Sequence, residues 1–266
     1  MKKLLIILAC VLLIIILLFI GKYYATSRLL KSIETQDMKA FEKILPLVFD
    51  IEGIAYPDWL CAASETVCKT PLQAASHSGN LEMVKSLVER GADVNGVRKY
   101  APFSPIMLAA TSTAESNLDI VEYLIQNGAD VSYRKEAYDA DALYQIAISQ
   151  KTIPNVERII ALLRDNGGDI YYEHKTYGSL LNVAAFHGND RVILCLLRDY
   201  SMDPNKTSSN GSTALIYYCK SSYADKMIVQ DLLACGADKS IKDHLGKTAY
   251  DYAIENGYTE IAELLK

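Results

Sequence analysis

Few side chains in this sequence are spaced for catalysis or metal binding. The four histidines could ligate a metal or act as general bases: His77, His174, His187 and His244. None of them has a second histidine or a carboxylate at metal-ligand spacing. The sequence also has no Cys-x-x-Cys pair, no phosphate-binding glycine loop and no Gly-x-Ser-x-Gly elbow. We therefore expect no catalytic or metal site, no cofactor, no enzyme activity and no small-molecule substrate.

Five aspartates recur at regular intervals: Asp93, Asp130, Asp169, Asp203 and Asp238. Most of them close a Gly-Ala-Asp-like turn, and none recurs beside a second acid. Aspartate in this position hydrogen-bonds the backbone of a following turn. The pattern thus indicates turn capping and not acid-base catalysis.

The segment around these turns is an internal repeat. Its first copy opens with Thr70-Pro71-Leu72-Gln73-Ala74-Ala75, and equivalent openings lie at positions 104, 142, 179, 213 and 248. Each copy contains two short helical patterns, the first with small residues and the second with apolar residues at i, i+3 and i+4. Helices this short are marginal alone, so the copies must stack on one another.

This repeat resembles the ankyrin repeat family. The resemblance implies an all-α solenoid of stacked helix-turn-helix pairs with finger-like loops, six copies over residues 67–266, and a concave side that binds other proteins. The family opening is Thr-Pro-Leu-His, and here other residues replace the histidine: Gln73, Met107, Gln145, Asn182, Ile216 and Asp251. We therefore expect the hydrogen bonds of that histidine to be altered.

Residues 1–24 are expected to form a membrane segment. Residues 4–20 are an unbroken run of 17 apolar residues after two lysines. Such a helix spans about 25 Å, close to the ~30 Å hydrocarbon layer. A retained transmembrane helix is favoured over a signal sequence cleaved at Ala25-Thr26-Ser27, because the run exceeds a usual signal-peptide core. The basic N-terminus favours a bacterial inner-membrane, single-pass protein with its repeats in the periplasm.

Residues 25–69 are expected to hold a degenerate capping copy and an irregular insertion, ahead of the six repeats at 70–266. Ile33 and Phe41 reproduce the apolar spacing of a helix pair without the usual opening. The insertion contains Cys61 and Cys68. In an oxidising compartment these two could form a disulfide, and two unpaired small residues fit the sequence equally well.

Tyrosine is the strongest compositional bias, with 18 Tyr against 5 Phe and 1 Trp. Exposed aromatic residues favour protein contact, although some of them could pack back on the helices. Seven aromatic residues fall in the finger regions and are the predicted partner-binding residues: Tyr100, Phe103, Tyr133, Tyr138, Tyr171, Tyr172 and Tyr177.

Charge and repeat architecture together predict the function. The net charge of -5 disfavours a nucleic-acid partner, and an acidic body favours a basic protein partner. We expect a non-catalytic interaction module, held at the membrane, that binds a protein through its concave Tyr-rich fingers. By analogy with small anchored repeat proteins of bacteria, the favoured role is an immunity or inhibitor protein against a toxic effector. The alternative is a structural scaffold for envelope or stress-response proteins.

Overall fold

The computed structural model describes residues 2–48, 50–52, 69–97, 102–135, 139–149 and 152–266. Every regular element in these ranges is a helix, and the only β-structure within them is two isolated bridges. The all-α class is therefore confirmed. The chain divides into an N-terminal unit, residues 1–130, and a C-terminal unit, residues 131–266.

The N-terminal unit contains the first helix pairs. Helix α1 (Lys2–Glu34) packs on α2 (Met38–Ile44), which is followed by a 3-10 turn (Leu45–Leu47). The next helices form two pairs: α3 (Pro71–Ser78) with α4 (Leu81–Glu89), and α5 (Pro105–Ala110) with α6 (Asn117–Gln126). Helix α3 packs between α1 and α5. The C-terminal part of α1 therefore occupies the place of a preceding first helix.

The predicted anchor, residues 4–20, lies inside α1, which continues without a break to Glu34. Within the part of the chain that the structure describes, no helix has the length and apolar content needed to cross a membrane. The predicted transmembrane helix is not supported.

The C-terminal unit contains four helix pairs. The first helices of the pairs pack side by side, α9 between α7 and α11, and α11 between α9 and α13. The pairs are α7 (Ala142–Ile148) with α8 (Val156–Asp165), α9 (Leu180–His187) with α10 (Asp190–Arg198), α11 (Ala214–Lys220) with α12 (Lys226–Ala234), and α13 (Ala249–Glu255) with α14 (Thr259–Leu265).

The first helix of each copy begins after a polar cap. The caps are Thr70, Ser104, Asp141, Ser179, Thr213 and Thr248. All except Ser104 accept a hydrogen bond from the backbone N–H three residues later, which satisfies a donor that a helix start leaves open. The third copy thus opens at Asp141, one residue before the predicted position 142, because the carboxylate is the better cap.

This shift changes the residue at the family histidine position of the third copy from Gln145 to Tyr144. At two other copies an amide takes over part of the histidine's role. The Gln73 side chain donates to the carbonyls of Gly96 and Phe103, at 3.2 and 2.9 Å. The Asn182 side chain donates to the carbonyl of Lys206 at 3.0 Å. The hydrogen bonds of the family histidine are therefore altered, as expected. At these two copies an amide side chain still joins the first helix to the finger by hydrogen bonds.

Stacking depends on two sets of buried positions. Small residues lie on the first helices where a neighbouring helix approaches, and leucines fill the second helices. All of the following have no exposed surface: Ala110, Ala147, Ala185, Cys219, Leu87, Leu124, Leu163, Leu196 and Leu232. The shared core is continuous within each unit.

The finger bases are fixed by local hydrogen bonds. The carboxylates of Asp93, Asp169, Asp203 and Asp238 each accept from the backbone N–H two residues later, which confirms their turn-capping role. Asn95 and Asn205 add a link between copies. The Asn205 side chain donates to the carbonyl of Gly236 at 2.8 Å and accepts from the N–H of Asp238 at 2.7 Å.

Replacing Leu196 with alanine should lower the free energy of unfolding by roughly 2–5 kcal/mol, because the fully buried side chain would leave a cavity between copies. Urea unfolding followed by circular dichroism measures this loss. Ile254→Ala is the matched control, since that side chain is 53% exposed. Equal losses in the two variants would contradict the assigned core.

The Cys219 thiol should make the protein sensitive to alkali. Burial raises its pKa to about 12, against an ordinary value of 9.0. The folded chain therefore keeps the proton where the unfolded chain loses it. This contribution to stability is complete below the ordinary pKa and is lost as the pH rises towards 12, on the order of a few kcal/mol. We expect Cys219→Ala to lose less stability than the wild type over that interval in urea titrations. A parallel decline in both proteins would contradict the buried thiol.

Candidate protein-binding site

Six ring side chains of the C-terminal unit form a group that we call the aromatic row, in which the first five are in ring contact and the last is joined to Tyr217 through Lys220: Tyr144, His174, Tyr177, Phe186, Tyr217 and Tyr252. The ring centroids are 4.9 Å apart between Tyr144 and His174, 5.4 Å between His174 and Tyr177, and 4.9 Å between Tyr177 and Phe186. Phe186 lies 5.5 Å from Tyr217. These separations suit offset or edge-to-face contacts between aromatic rings.

First helices position four members of the row, and a finger positions the other two. Tyr144, Phe186, Tyr217 and Tyr252 lie on α7, α9, α11 and α13. His174 and Tyr177 lie on a hairpin closed by two backbone hydrogen bonds of 2.8 Å between His174 and Gly178. Gly178 has a φ of 76°, a left-handed conformation that glycine adopts without strain. The hairpin thus brings the finger rings against the helix rings.

The lower half of the row is structural. Tyr217 and Tyr252 are buried, and both hydroxyls donate hydrogen bonds, Tyr217 to Ser208 at 2.9 Å and Tyr252 to Asp243 at 2.6 Å. Burial and the hydrogen bond to Asp243 raise the pKa of Tyr252. These phenols stay neutral and hold finger residues against their helices. They support the row and leave little of their own surface for a partner.

Phe186 is the exposed member of the row. Its side chain is 39% exposed, although it also contacts Tyr177 and Tyr217. A large ring that is held in place by two neighbours and still open to solvent loses little conformational freedom on binding. Phe186 is therefore the best-placed contact residue of the row.

Cations lie over several of the tyrosine rings. The Lys220 ammonium is 4.6 Å from the centre of the Tyr252 ring and 6.0 Å from that of Tyr217. Lys247 is 5.3 Å from the Tyr252 ring centre. Such contacts stabilise both the cation and the ring. The row therefore combines apolar area with positive charge.

Tyr172 belongs to a clamp beside the row. Its hydroxyl donates to the Asp139 carboxylate, at 2.8 and 2.9 Å to the two oxygens. The Arg134 guanidinium stacks 3.4 Å from its ring centre and donates to Asp141, the cap of α7, at 2.6 Å. Burial raises the pKa of Asp141, while its hydrogen bond from the Tyr144 backbone and the charge of Arg134 act against the rise. Together with Tyr144, the side chains of Arg134, Asp141 and Tyr172 line one small cleft.

The described partner-binding predictions of the C-terminal unit lie in different local environments. Tyr177 is in the row and Tyr172 in the clamp, whereas Tyr171 is separate and 62% exposed at the base of its finger. Phe103 and Tyr133 are half-buried and belong to different units. Tyr100 and Tyr138, and the predicted cysteine pair Cys61 and Cys68, lie outside the described residues. Their roles stay predictions.

Sequence reasoning missed Phe186, Tyr144, Tyr217 and Tyr252. These side chains lie on the first helices, whereas the predicted binding residues were confined to the fingers. Phe186 directly follows Ala185, the small residue that faces the next copy. On a first helix, the residue directly after the stacking residue lies at the surface. That position could have identified Phe186.

The described residues offer few grouped ligands for a metal ion or cofactor. In the ranges with described coordinates, no group of three or more His, Cys, Asp or Glu residues could hold a metal ion. Cys195 and Cys219 are poor nucleophiles, since burial raises the pKa of each thiol to about 12. The chemistry of the described site is contact and hydrogen bonding.

The family model for ankyrin repeats, in three copies, matches residues 51–135 and 180–266, which is more than half of the sequence. The chain belongs to the ankyrin repeat family. The helix pairs and finger turns described above within the matched residues are therefore ankyrin repeats.

Similar proteins place the fold in context. The human NAD-capped RNA hydrolase NUDT12 is 46% identical over 61 residues, which cover 23% of this chain and 13% of that protein. This match involves only the ankyrin region of the hydrolase. The human ASB11 ankyrin repeat domain has a TM-score of 0.70 at 19% identity, covering 90% of this chain and 97% of that one, and shows the same solenoid fold.

A third similar chain comes from a bacterial complex. It is part of the structure of the Bd0816 predatory endopeptidase from Bdellovibrio bacteriovorus in complex with the immunity protein Bd3460. The TM-score is 0.59 at 25% identity, covering 73% of this chain and 95% of that chain.

Replacing Tyr172 with phenylalanine should remove the hydrogen bond to Asp139 while keeping the ring under Arg134. We expect a loss of about 1 kcal/mol in the free energy of unfolding, since the acceptor is charged but half-exposed. Chemical denaturation measures it. Tyr171→Phe, at the exposed neighbouring position, should change stability by less than about 0.5 kcal/mol. A smaller loss of unfolding free energy in Tyr172→Phe than in Tyr171→Phe would contradict the hydrogen bond that closes the clamp.

Proposed function

We propose that this ankyrin repeat chain binds a partner protein through the aromatic row and the fingers beside it. The observation that carries the proposal is Phe186, an apolar ring exposed on the first-helix side and fixed by Tyr177 and Tyr217. Large aromatic side chains that are held in place before binding are frequent energetic anchors of protein interfaces. Ankyrin repeats commonly serve protein-protein interaction, which supports the same function.

The proposed role of this binding is inhibition of a toxic effector, as an immunity protein. The similarity to a chain from an endopeptidase complex with an immunity protein supports it. A scaffold for envelope or stress-response proteins is the alternative role.

Alanine in place of both Phe186 and Tyr177 should reduce the free energy of partner binding by about 2 kcal/mol or more. The melting temperature of the double variant should change little. Binding is measured by calorimetry with the partner identified by photo-crosslinking from position 186. Met227→Ala is the matched control, because Met227 is 71% exposed on the second helix α12. Equal affinity of the double variant and the wild type would exclude the aromatic row as the binding surface.

The activity of the captured partner separates the two roles. An inhibitor should bind one enzyme or toxin and suppress its activity at equimolar amounts, and the Phe186 and Tyr177 double variant should fail to do so. A captured partner that retains full activity when bound would exclude the inhibitor role. Capture of several membrane proteins without effect on their activity would instead favour the scaffold.

We also propose that residues 4–20 attach the chain to a bacterial inner membrane with the repeats in the periplasm. The support for this proposal is the apolar run itself and the two lysines before it. Extraction of membranes with alkaline carbonate should leave the full chain in the pellet and release a variant lacking residues 4–20. Release of both the full chain and the shortened variant from the membranes would exclude residues 4–20 as a membrane anchor.

A further inference from the structure

Five asparagine residues are followed directly by glycine: Asn95–Gly96, Asn127–Gly128, Asn166–Gly167, Asn210–Gly211 and Asn256–Gly257. Glycine has no Cβ, so its backbone nitrogen approaches the preceding side chain without hindrance. This nitrogen can bond to the carbonyl carbon of the asparagine side chain. The side-chain nitrogen then leaves as ammonia, which takes the glycine amide proton, and a cyclic imide results. Water opens the imide to aspartate or isoaspartate. Each pair is therefore a candidate site of deamidation, with water as the co-reactant.

The fold engages the attacking nitrogen of every one of these pairs. Each of the five glycine N–H groups donates a hydrogen bond of 3.0–3.2 Å to the backbone carbonyl three residues before it. The acceptors are the carbonyls of Asp93, Ile125, Arg164, Ser208 and Ile254. This hydrogen bond must break before the nitrogen can lose its proton and react. Deamidation of the folded chain therefore requires at least the local opening of a turn.

The backbone conformation adds a second barrier at three helix ends. Asn127, Asn166 and Asn256 are the C-cap residues of α6, α8 and α13, with ψ angles of 18°, 24° and 0°. A ψ angle this small places the glycine nitrogen beside the asparagine's own backbone nitrogen. The imide ring instead needs the glycine nitrogen beside Cβ. The ring therefore closes only after the backbone rotates out of the conformation that ends the helix.

The side chains of Asn95 and Asn256 also join neighbouring copies. The Asn95 amide donates to the carbonyl of Gly128 at 2.9 Å and accepts from the N–H of Asp130 at 2.7 Å. The Asn256 amide donates to the carbonyl of Cys219 at 2.9 Å. The carboxylate that deamidation leaves has no N–H to donate, and its negative charge would face these carbonyls. The hydrogen bonds to Gly128 and Cys219 are therefore lost permanently once the two asparagines have reacted.

We propose that Asn95 and Asn256 are deamidation sites that the stacking of neighbouring copies keeps closed, and that each reacts when its own copy detaches from its neighbour. This inference is independent of the partner-binding surface. Because the copies of a solenoid contact only their neighbours and open locally, the reaction at each site reports on the two copies that the site joins. Deamidation at either site then weakens the contact between those copies, so a transient opening leaves a permanent change.

The test compares the folded chain with the chain unfolded in urea at the same mildly alkaline pH. Mass spectrometry of proteolytic peptides measures the rate of deamidation at each asparagine. Asn95 and Asn256 should react at least about tenfold more slowly in the folded chain than in urea, because local opening is rare. A smaller difference between the folded and unfolded rates at these two sites would overturn the proposal.

Two buried substitutions serve as matched controls for each other. Leu87→Ala removes a side chain with no exposed surface from α4, in the copy of Asn95, and Ile261→Ala removes a 4% exposed side chain from α14, in the copy of Asn256. Leu87→Ala should speed deamidation at Asn95 at least about tenfold and leave Asn256 within about twofold, and Ile261→Ala should do the reverse.

Both variants are first checked for folding by circular dichroism. Leu87→Met or Ile261→Val replaces a variant that does not fold, and the same crossed pattern is expected. Equal acceleration of both sites by either substitution would show that the whole chain must unfold, and would overturn the opening of individual copies. Unchanged rates at both sites would overturn the proposal as well.

Discussion

Close approach between successive first helices is the constraint on which this fold depends. Helices of six to ten residues gain too little from their own hydrogen bonds to persist alone. They are stable because Ala110, Ala147, Ala185 and Cys219 let neighbouring copies come within packing distance. Once the helices are aligned in this way, Phe186 and Tyr217 on neighbouring first helices have ring centroids 5.5 Å apart. The contact between these two rings thus depends on the stacking of the helices.

The sequence was informative wherever local chemistry and the repeat spacing agree. Thr70, Ser179 and Thr248 were visible as helix openings because a hydroxyl cap is a local signal. The same holds for the buried leucines, such as Leu87 and Leu196, and for the turn aspartates. The third opening was misplaced by one residue because Asp141 and Ala142 both fit a weak copy, and only the hydrogen bond from the Tyr144 N–H separates them.

The candidate site was harder to predict, because it depends on contacts between copies. Tyr172 and Tyr177 were recognised as finger residues, but one is fixed by Arg134 and Asp139 and the other by a ring cluster. Phe186 was overlooked because an apolar residue on a short helix is usually core. No local pattern specifies that Lys220 lies between two tyrosines from different copies. Electrostatic character is likewise a property of the stacked array and not of any one repeat.

The asparagine links between finger bases are unevenly distributed. Asn95 and Asn205 each bridge to the turn of the next copy, whereas the equivalent place in the third copy is taken by Tyr171. The third copy therefore lacks the two hydrogen bonds that an asparagine would make to the next turn, at Ser201 and Asp203. This link between the finger bases of the third and fourth repeats is absent beside the aromatic row. A molecule held across Tyr177 and Phe186 would contact both of these copies on their finger side, where Tyr171 takes the place of the linking asparagine.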